Sequence, residues 1–281
     1  MQSGQPSYTA RGAAAYRAIH QTVESGIIFS DPFALRILDD ETRAKLDEIA
    51  ADASWRPMRL FIAARSRFSE DILAACVARG VRQIVVLGAG LDTFSLRNPH
   101  AAQGVRVFEV DHPATQGWKR ERLKQADLAV PSSLTFAPVD FERQSLADGL
   151  TAAGFQADRP AFFQWLGVVP YLTREAISVT LDFIAGVPES EVVFDYAEPF
   201  ENHPADRHAH LMAVAAKMAA WGEPWLSFFD PPELSEMLRN KGFGIVENLG
   251  LAEISDRFFG VLKQGIVIGP GPRVVRAQRT L

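Results

Sequence analysis

The segment QIVVLGAGLDTFSLR, residues 83–97, joins a short apolar run to a glycine-containing turn. Residues 84–87 are apolar and rich in β-branched side chains, which predicts a strand buried on both faces. Gly88 and Gly90 follow at once, and because neither has a Cβ, the chain can turn sharply and a ligand can approach the backbone closely. The segment therefore predicts a strand and turn that hold a nucleoside-type cofactor.

A second apolar run, residues 105–110, follows at the spacing of a βαβ unit and leads into Asp111. An acidic residue about 20 positions after the glycine turn is placed to bind ribose hydroxyls. A dinucleotide fingerprint has a third glycine, whereas this turn has Thr93, and Asp92 would repel a pyrophosphate. The pattern therefore favours a cofactor without phosphate, such as S-adenosylmethionine, over a nicotinamide dinucleotide.

Composition narrows the class of protein. The chain has 281 residues, of which 47% are hydrophobic and 22% charged, as in an ordinary globular protein. A net charge of −5 leaves no basic surface for nucleic acid, and no apolar run approaches the length of a membrane span. The start lacks a secretory signal, and the single Cys76 fits a reducing compartment, so we expect a cytoplasmic protein. The oligomeric state stays open.

The order of predicted elements indicates an α/β fold. Helices are predicted over residues 8–25, from Asp31-Pro32 onward, over 41–50 and over 59–77, and they make residues 1–80 a helical cap. In residues 81–281, strands and helices alternate, which predicts a mainly parallel sheet with helices on both faces. An insertion around 199–230 is predicted to fold as a lid over the carboxyl ends of the strands. The predicted strands are 83–87, 105–110, 134–139, 161–166, 191–196, 244–249 and 273–278, and the later helices are 114–127, 142–153, 173–186, 206–221 and 231–241.

Several short motifs are spread along the chain. They are TA…YRA…FSDP in residues 9–32, ARSR at 64–67, LGAGLDT at 87–93, FEVDHP at 108–113, VDF at 139–141, WLGVVPYL at 165–172 and PPEL at 231–234. Together they resemble the leucine carboxyl methyltransferase-like class I methyltransferases, and more closely a bacterial branch that includes polyketide carboxyl O-methyltransferases. The resemblance covers residues 9 to about 243 and implies a Rossmann-like, seven-stranded sheet whose last strand is antiparallel. It also implies S-adenosylmethionine as methyl donor.

The resemblance also implies the cofactor contacts. Arg65 would hold the cofactor carboxylate, and Asp111 would bind the ribose hydroxyls. Members of the family often have Glu-Gly after the fourth strand, where this chain has Leu166-Gly167, so one polar cofactor contact is either lost or supplied by Gln164. The remaining predicted cofactor contacts are Gly88 and Gly90 at the methionine part, Asp140 and Phe141 at the adenine, and Ala89, His112 and Trp165, which are not assigned to one part of the cofactor.

The acceptor site is less determined by the sequence. A carboxylate acceptor needs no general base, whereas a phenol with a pKa near ~10 gains from one such as histidine. Because positioning can dominate methyl transfer, no catalytic residue is assigned. The predicted acceptor contacts are Tyr16, Arg17, His20, Tyr171 and His208, with Arg17 and Tyr171 preferred. No metal is predicted, since His203, His208 and His210 do not share one helix face.

These observations predict an enzyme, an S-adenosylmethionine-dependent O-methyltransferase. Its expected partner is a small, partly aromatic, polyketide-like metabolite with a carboxylate or hydroxyl acceptor, and neither nucleic acid nor a membrane is expected. Methylation of a protein C-terminal carboxylate is the alternative within the same chemistry. A non-enzymatic cofactor-binding or regulatory protein and an NAD-type oxidoreductase are the alternatives of another class.

Overall fold

A computed structural model describes residues 7–140, 143–267 and 269–280. One sheet contains the strands β1 (Gln83–Leu87), β2 (Arg106–Asp111), β3 (Leu134–Pro138), β4 (Ala161–Trp165), β5 (Glu191–Tyr196), β6 (Phe243–Leu249) and β7 (Arg273–Arg279). Their order across the sheet is β3-β2-β1-β4-β5-β7-β6. Strands β1 to β5 run parallel, and β7 pairs antiparallel with both β5 and β6. The predicted Rossmann-like sheet with an antiparallel last strand is confirmed.

The helices largely follow the predicted pattern. They are α1 (Tyr8–Val23), α2 (Asp40–Ala44), α3 (Leu46–Ala51), α4 (Arg56–Ala78), α5 (Phe94–Arg97), α6 (Pro113–Gln125), α7 (Leu146–Ala152), α8 (Arg174–Gly186), α9 (Ala205–Ala220), α10 (Pro231–Asn240) and α11 (Leu251–Ile254). A π-helical turn, Ser255–Phe259, and a 3₁₀ turn, Gly260–Lys263, continue α11. The sequence did not predict this last helical stretch.

The helix predicted from Asp31-Pro32 does not form. Residues 32–38 form turns instead. The Asp31 carboxylate accepts the Phe33 N–H at 3.1 Å, which closes a local turn, and its other oxygen accepts the Thr93 hydroxyl at 2.7 Å. These contacts hold a turn that begins at Asp31, and the chain leaves helical geometry over residues 32–38. The prediction of one helix over 41–50 is also wrong, because α2 and α3 are separate.

Apolar side chains cover both faces of the sheet, as a parallel sheet requires. Val85 and Leu87 of β1 belong to the core shared with α7, α8 and α10, whereas Ile84 and Val86 point to the core shared with α4 and α11. A third core joins α1, residues 34–38 and α6. Because α4 shares its core with the sheet, the packing is continuous across residue 80, and the boundary between cap and sheet domain stays a prediction.

The carboxyl ends of β1, β2, β4 and β5 lie at one edge of the sheet, and the insertion crosses this edge. The N–H of Leu226 donates to the Pro170 carbonyl oxygen at 2.7 Å, and the N–H of Phe229 donates to the Ala197 carbonyl oxygen at 3.1 Å. These bonds tie residues 226–229 to the turn after β4 and to the end of β5. Ligands of open α/β sheets bind at this edge. No helix in the described part of the chain is long and apolar enough to cross a membrane.

Candidate active site

The glycine turn after β1 is packed between two other segments. Gly88 and Gly90 have φ values of +63° and +44°, which only glycine adopts readily. A Cβ on Gly88 would lie 2.4 Å from the Val168 side chain, and one on Gly90 would lie 3.0 Å from Cβ of Ala10. Ala89 is buried between them, and its N–H donates to the Val110 carbonyl oxygen at 3.1 Å. The glycine turn is therefore packed between the segment after β4 and the start of α1, and there is no room for a side chain at Gly88 or Gly90.

Asp111 ends β2 next to this turn. One carboxylate oxygen accepts the Gly90 N–H at 2.6 Å, and the other accepts the His112 N–H at 2.7 Å. Burial raises the pKa of Asp111, while the two amide donors oppose that shift. Each oxygen still has a free lone pair, so the carboxylate is oriented and can accept two further hydroxyl donors. The His112 ring accepts the Ala114 N–H at 3.2 Å and caps α6.

Arg65 extends from α4 toward the ends of β4 and β5. Its Nη1 donates to Oδ2 of Asp195 at 2.5 Å, and Oδ1 of Asp195 accepts the Gly167 N–H at 2.6 Å. Gly167 has a φ of +73°, and a Cβ there would lie 3.0 Å from Nη2 of Arg65. Nε of Arg65 is buried and has no hydrogen-bond partner among the described residues. The guanidinium is thus fixed by Asp195 on one side, and its Nε keeps an unused donor among the described residues. The sequence did not predict Asp195 as part of the site.

Gln164 and Trp165 are buried at the end of β4. The Gln164 amide accepts the Ser69 hydroxyl at 3.0 Å and donates to Oδ2 of Asp92 at 3.1 Å. Trp165 packs against Phe194 with ring centroids 5.7 Å apart. Both side chains therefore contact buried groups of the protein around the glycine turn and strand β5. Their predicted cofactor contacts stay predictions.

The predicted adenine contacts lie after β3. Asp140 pairs with Arg143 at 3.4 Å. Phe141 lies outside the described residues, as does the side chain of His210. The described part of the chain contains no group of three residues that could hold a metal ion.

Arg17 reaches the glycine turn from α1. Its Nη2 donates to the Leu91 carbonyl oxygen at 2.6 Å, and its Nε pairs with Asp31 at 3.2 Å. The side chain is buried. These contacts direct Arg17 to the segment that follows Gly90, which is on the cofactor side of the site. The geometry gives Arg17 a role in holding the turn, and its acceptor contact stays a prediction.

His20 and Tyr16 are also directed inward. His20 is fully buried, its Nδ1 lies 3.1 Å from Oε2 of Glu24, and its Nε2 accepts the Ile28 N–H at 3.3 Å. Both ring nitrogens are therefore used within the protein. Burial raises the pKa of Tyr16 to about 12, and its ring packs 6.1 Å from that of Trp55. The predicted acceptor contacts of His20 and Tyr16 find no support in this geometry.

Tyr171 lies on the 3₁₀ turn Val169–Tyr171, beside the insertion. Burial raises the pKa of its hydroxyl, and the nearby Trp225 and Thr9 side chains oppose that rise. Three half-buried aromatic rings of the insertion pack together. The ring centroid of Phe200 lies 6.3 Å from that of Trp225 and 5.0 Å from that of Phe228. We call Phe200, Trp225 and Phe228 the aromatic wall. His208, on α9, places its Nε2 2.9 Å from the His203 carbonyl oxygen.

The insertion also holds the start of α1. The Glu223 carboxylate accepts the N–H groups of Tyr8 and Thr9, each at 3.0 Å, and the Tyr8 ring stacks on that of Trp221 at 5.4 Å. We call this contact, formed by Tyr8, Thr9, Trp221 and Glu223, the clasp. It brings Ala10 onto Gly90. A separate cavity of about 390 Å³, lined in part by Ile27, Phe68 and Phe258, shares no residue with this site.

Comparisons with known proteins agree with this geometry. The family model described as leucine carboxyl methyltransferase matches residues 10–185. A Bacillus subtilis (strain 168) protein named "Putative S-adenosyl-L-methionine-dependent methyltransferase YktD" is 33% identical over 294 aligned positions, covering 95% of this chain and 95% of that protein. A Mycobacterium avium (strain 104) protein with the same description is 30% identical over 302 positions, covering 96% and 94%.

Among solved structures, a DUF574 family protein from Streptomyces avermitilis MA-4680 has the same fold, with a TM-score of 0.58 at 17% identity, covering 96% of this chain and 97% of that one. The predicted enzyme class and S-adenosylmethionine cofactor are therefore confirmed at the level of the family. The chain belongs to the leucine carboxyl methyltransferase family.

Proposed function

We propose that this protein transfers a methyl group from S-adenosylmethionine to an oxygen of a small, partly aromatic metabolite, a carboxylate being the favoured acceptor. The observation that carries the proposal is the position of Tyr171. It lies on the turn after β4, which is bonded to the insertion through the Leu226 N–H and the Pro170 carbonyl oxygen, at the edge of the sheet where the glycine turn and Asp111 also lie. This arrangement combines a polar group for the acceptor with an apolar surface for its ring.

The residues at the glycine turn fit the methyl donor. Asp111 has free lone pairs for two ribose hydroxyls, and Gly88 is exposed, so the backbone is open to close approach. Arg65 has a buried Nε that bonds to none of the described residues, which suits the carboxylate of an amino acid. When bound, S-adenosylmethionine supplies a methyl group on a sulfonium, and the protein has to position the acceptor oxygen in line with it.

The acceptor side favours a group that is already ionised. Tyr171 stays protonated at neutral pH because burial raises its pKa, so its hydroxyl donates a hydrogen bond and does not act as a base. A carboxylate acceptor needs only such a donor. A phenol acceptor would need a base, and because Nε2 of His208 donates to a backbone carbonyl, only Nδ1 of that ring could accept the proton. The aromatic wall would bind the ring of the acceptor and exclude water.

A matched pair of acceptors tests this proposal. The protein is incubated with S-adenosylmethionine and either 2-naphthoic acid or 2-naphthol, and methylated products are measured by mass spectrometry. We expect the methyl ester of the acid and at least tenfold less of the ether. Tyr171→Phe and Trp225→Ala should both reduce ester formation, whereas Trp118→Phe, on α6, should not. Ether formation that exceeds ester formation would contradict the choice of a carboxylate.

Methylation of a protein C-terminal carboxylate is the second candidate, because the family description names leucine carboxyl methylation. The same assay includes a peptide that ends in leucine and its C-terminal amide as control. Methylation of the peptide acid with no transfer to either naphthalene compound would replace the small-molecule proposal by this one.

A further inference from the structure

The segment that follows the glycine turn, residues 91–95, is held by buried side chains from several elements. Arg17 of α1 binds the Leu91 carbonyl oxygen, and Gln164 of β4 binds the Asp92 side chain at 3.1 Å. Asp31 accepts the Thr93 hydroxyl at 2.7 Å. Short helices do not fix such a segment by themselves, so its conformation depends on these contacts.

Lys119 also binds this segment directly, at a backbone carbonyl. It lies on α6 and is almost completely buried, and its Nζ donates to the Asp92 carbonyl oxygen at 2.7 Å. The N–H of Asp92 in turn donates to the Ala89 carbonyl oxygen at 2.7 Å, which closes the turn around Gly90. The ammonium group therefore holds the residue at which the turn ends. Gly90 is the residue whose N–H orients Asp111.

Glu109 makes the buried ammonium possible. Its Oε2 lies 2.6 Å from Nζ of Lys119, and its Oε1 accepts the Ser95 hydroxyl at 2.7 Å. Glu109 is fully buried on β2, two residues before Asp111. A buried ion pair stabilises a fold only weakly, because desolvation of both charges opposes their attraction. Stability alone is a poor reason for this pair, since a neutral apolar pair of similar volume would often serve as well.

We infer that Lys119 is a positioning residue for the methyl donor. It fixes the Asp92 carbonyl and thereby the orientation of the Gly90 N–H and of Asp111, while Glu109 neutralises its charge. This inference rests on the proposed function, because it assumes that the glycine turn binds S-adenosylmethionine. It adds Lys119, which acts through the backbone of the glycine turn, to the set of residues on which cofactor affinity depends.

Three variants separate positioning from a merely structural role: Glu109→Gln, Lys119→Met and the double variant. Binding of S-adenosylhomocysteine is measured by isothermal titration calorimetry, and the midpoint of thermal unfolding is measured without ligand. Glu109→Gln leaves the ammonium on the Asp92 carbonyl but unpaired, so it should lower the midpoint and change the dissociation constant less than threefold. The double variant removes both charges, so its unfolding midpoint should lie nearer to that of the wild type than the midpoint of either single variant does. Its dissociation constant should nevertheless be raised at least tenfold.

The outcomes are distinguishable. Weak binding by the stable double variant, together with near-normal binding by Glu109→Gln, is the expected result. Wild-type affinity in the double variant would overturn the inference, as would affinities that simply follow the unfolding midpoints. If Lys119→Met alone does not fold, the double variant still decides. Failure of the wild-type protein to bind S-adenosylhomocysteine would instead remove the proposed function.

Discussion

Replacing Glu223 by alanine should release the start of α1 from the insertion. In the structure this carboxylate accepts two backbone N–H groups, from Tyr8 and Thr9, at 3.0 Å each. Both amides belong to the first turn of α1, where N–H groups have no partner within the helix. Glu223 is buried, and both hydrogen bonds are partly buried. The substitution therefore removes a capping interaction and leaves two amides unsatisfied.

The size of the effect follows from the two bonds. A hydrogen bond to a charged group contributes roughly 1.5–3 kcal/mol, but the freed amides and the Glu side chain would be hydrated in the open form. A lost helix cap costs roughly 0.5–2 kcal/mol. We take about 2 kcal/mol for the clasp as a whole, which makes local opening about 30-fold more frequent. The Tyr8–Trp221 stack remains in the variant and limits the loss.

Amide hydrogen exchange measures this opening directly. The amides of Tyr8, Thr9 and Ala10 should exchange about 30-fold faster in Glu223→Ala, whereas those of the central strand β1 should be unchanged, because the opening is local. Glu201→Ala, at an exposed position of the same insertion, is the control for the loss of one negative charge. Equal exchange in Glu223→Ala and the wild type would refute the clasp.

Two further substitutions test the cofactor site, and one chemical modification tests the burial of Cys76. Gly167→Ala should weaken binding of S-adenosylhomocysteine at least tenfold, since the new Cβ meets the Arg65 guanidinium. Gly104→Ala is the control, because Gly104 has a similar φ of +77° and open space around it. This control variant should be destabilised by a similar amount but should keep its affinity. Asp111→Ala should raise the dissociation constant of S-adenosylmethionine more than tenfold, a loss of at least ~1.4 kcal/mol, and an unchanged value in calorimetry would refute the ribose contact. The Cys76 thiol should resist iodoacetamide in the native protein and react after denaturation, because burial and a nearby carboxylate raise its pKa; mass spectrometry of native protein that shows full alkylation would contradict this.

Most of the sheet could be predicted from the sequence because its signals are local. The run of residues 84–87 is apolar throughout, and burial on both faces of a parallel sheet requires this. The helix predicted after Asp31-Pro32 failed for a reason that no local pattern contains. The Asp31 carboxylate accepts the local Phe33 N–H, but it also binds Arg17 and Thr93, which are distant in sequence.

The same distinction applies to the site. The glycine turn and Asp111 lie within one βαβ unit, so their spacing indicated a cofactor site. The partner of Arg65 is Asp195, 130 positions away, and the partner of Tyr8 is Glu223, 215 positions away. Such pairs depend on how the elements pack, and residue type alone does not reveal them. Arg17 was assigned to the acceptor on the basis of its charge, whereas its buried contacts connect it to the cofactor turn.

Thermal unfolding with and without ligand tests the central claim most directly, namely that the glycine turn and Asp111 bind S-adenosylmethionine. The protein is heated alone and with saturating S-adenosylmethionine, S-adenosylhomocysteine, NAD or NADP. A ligand at 100 times its dissociation constant adds ~2.7 kcal/mol to the free energy of unfolding, which raises the midpoint by roughly 5 °C for a chain of this size. We predict this rise with the two adenosyl compounds and none with NAD or NADP. A rise with the nicotinamide cofactors alone, or no rise with any of the four, would contradict the account.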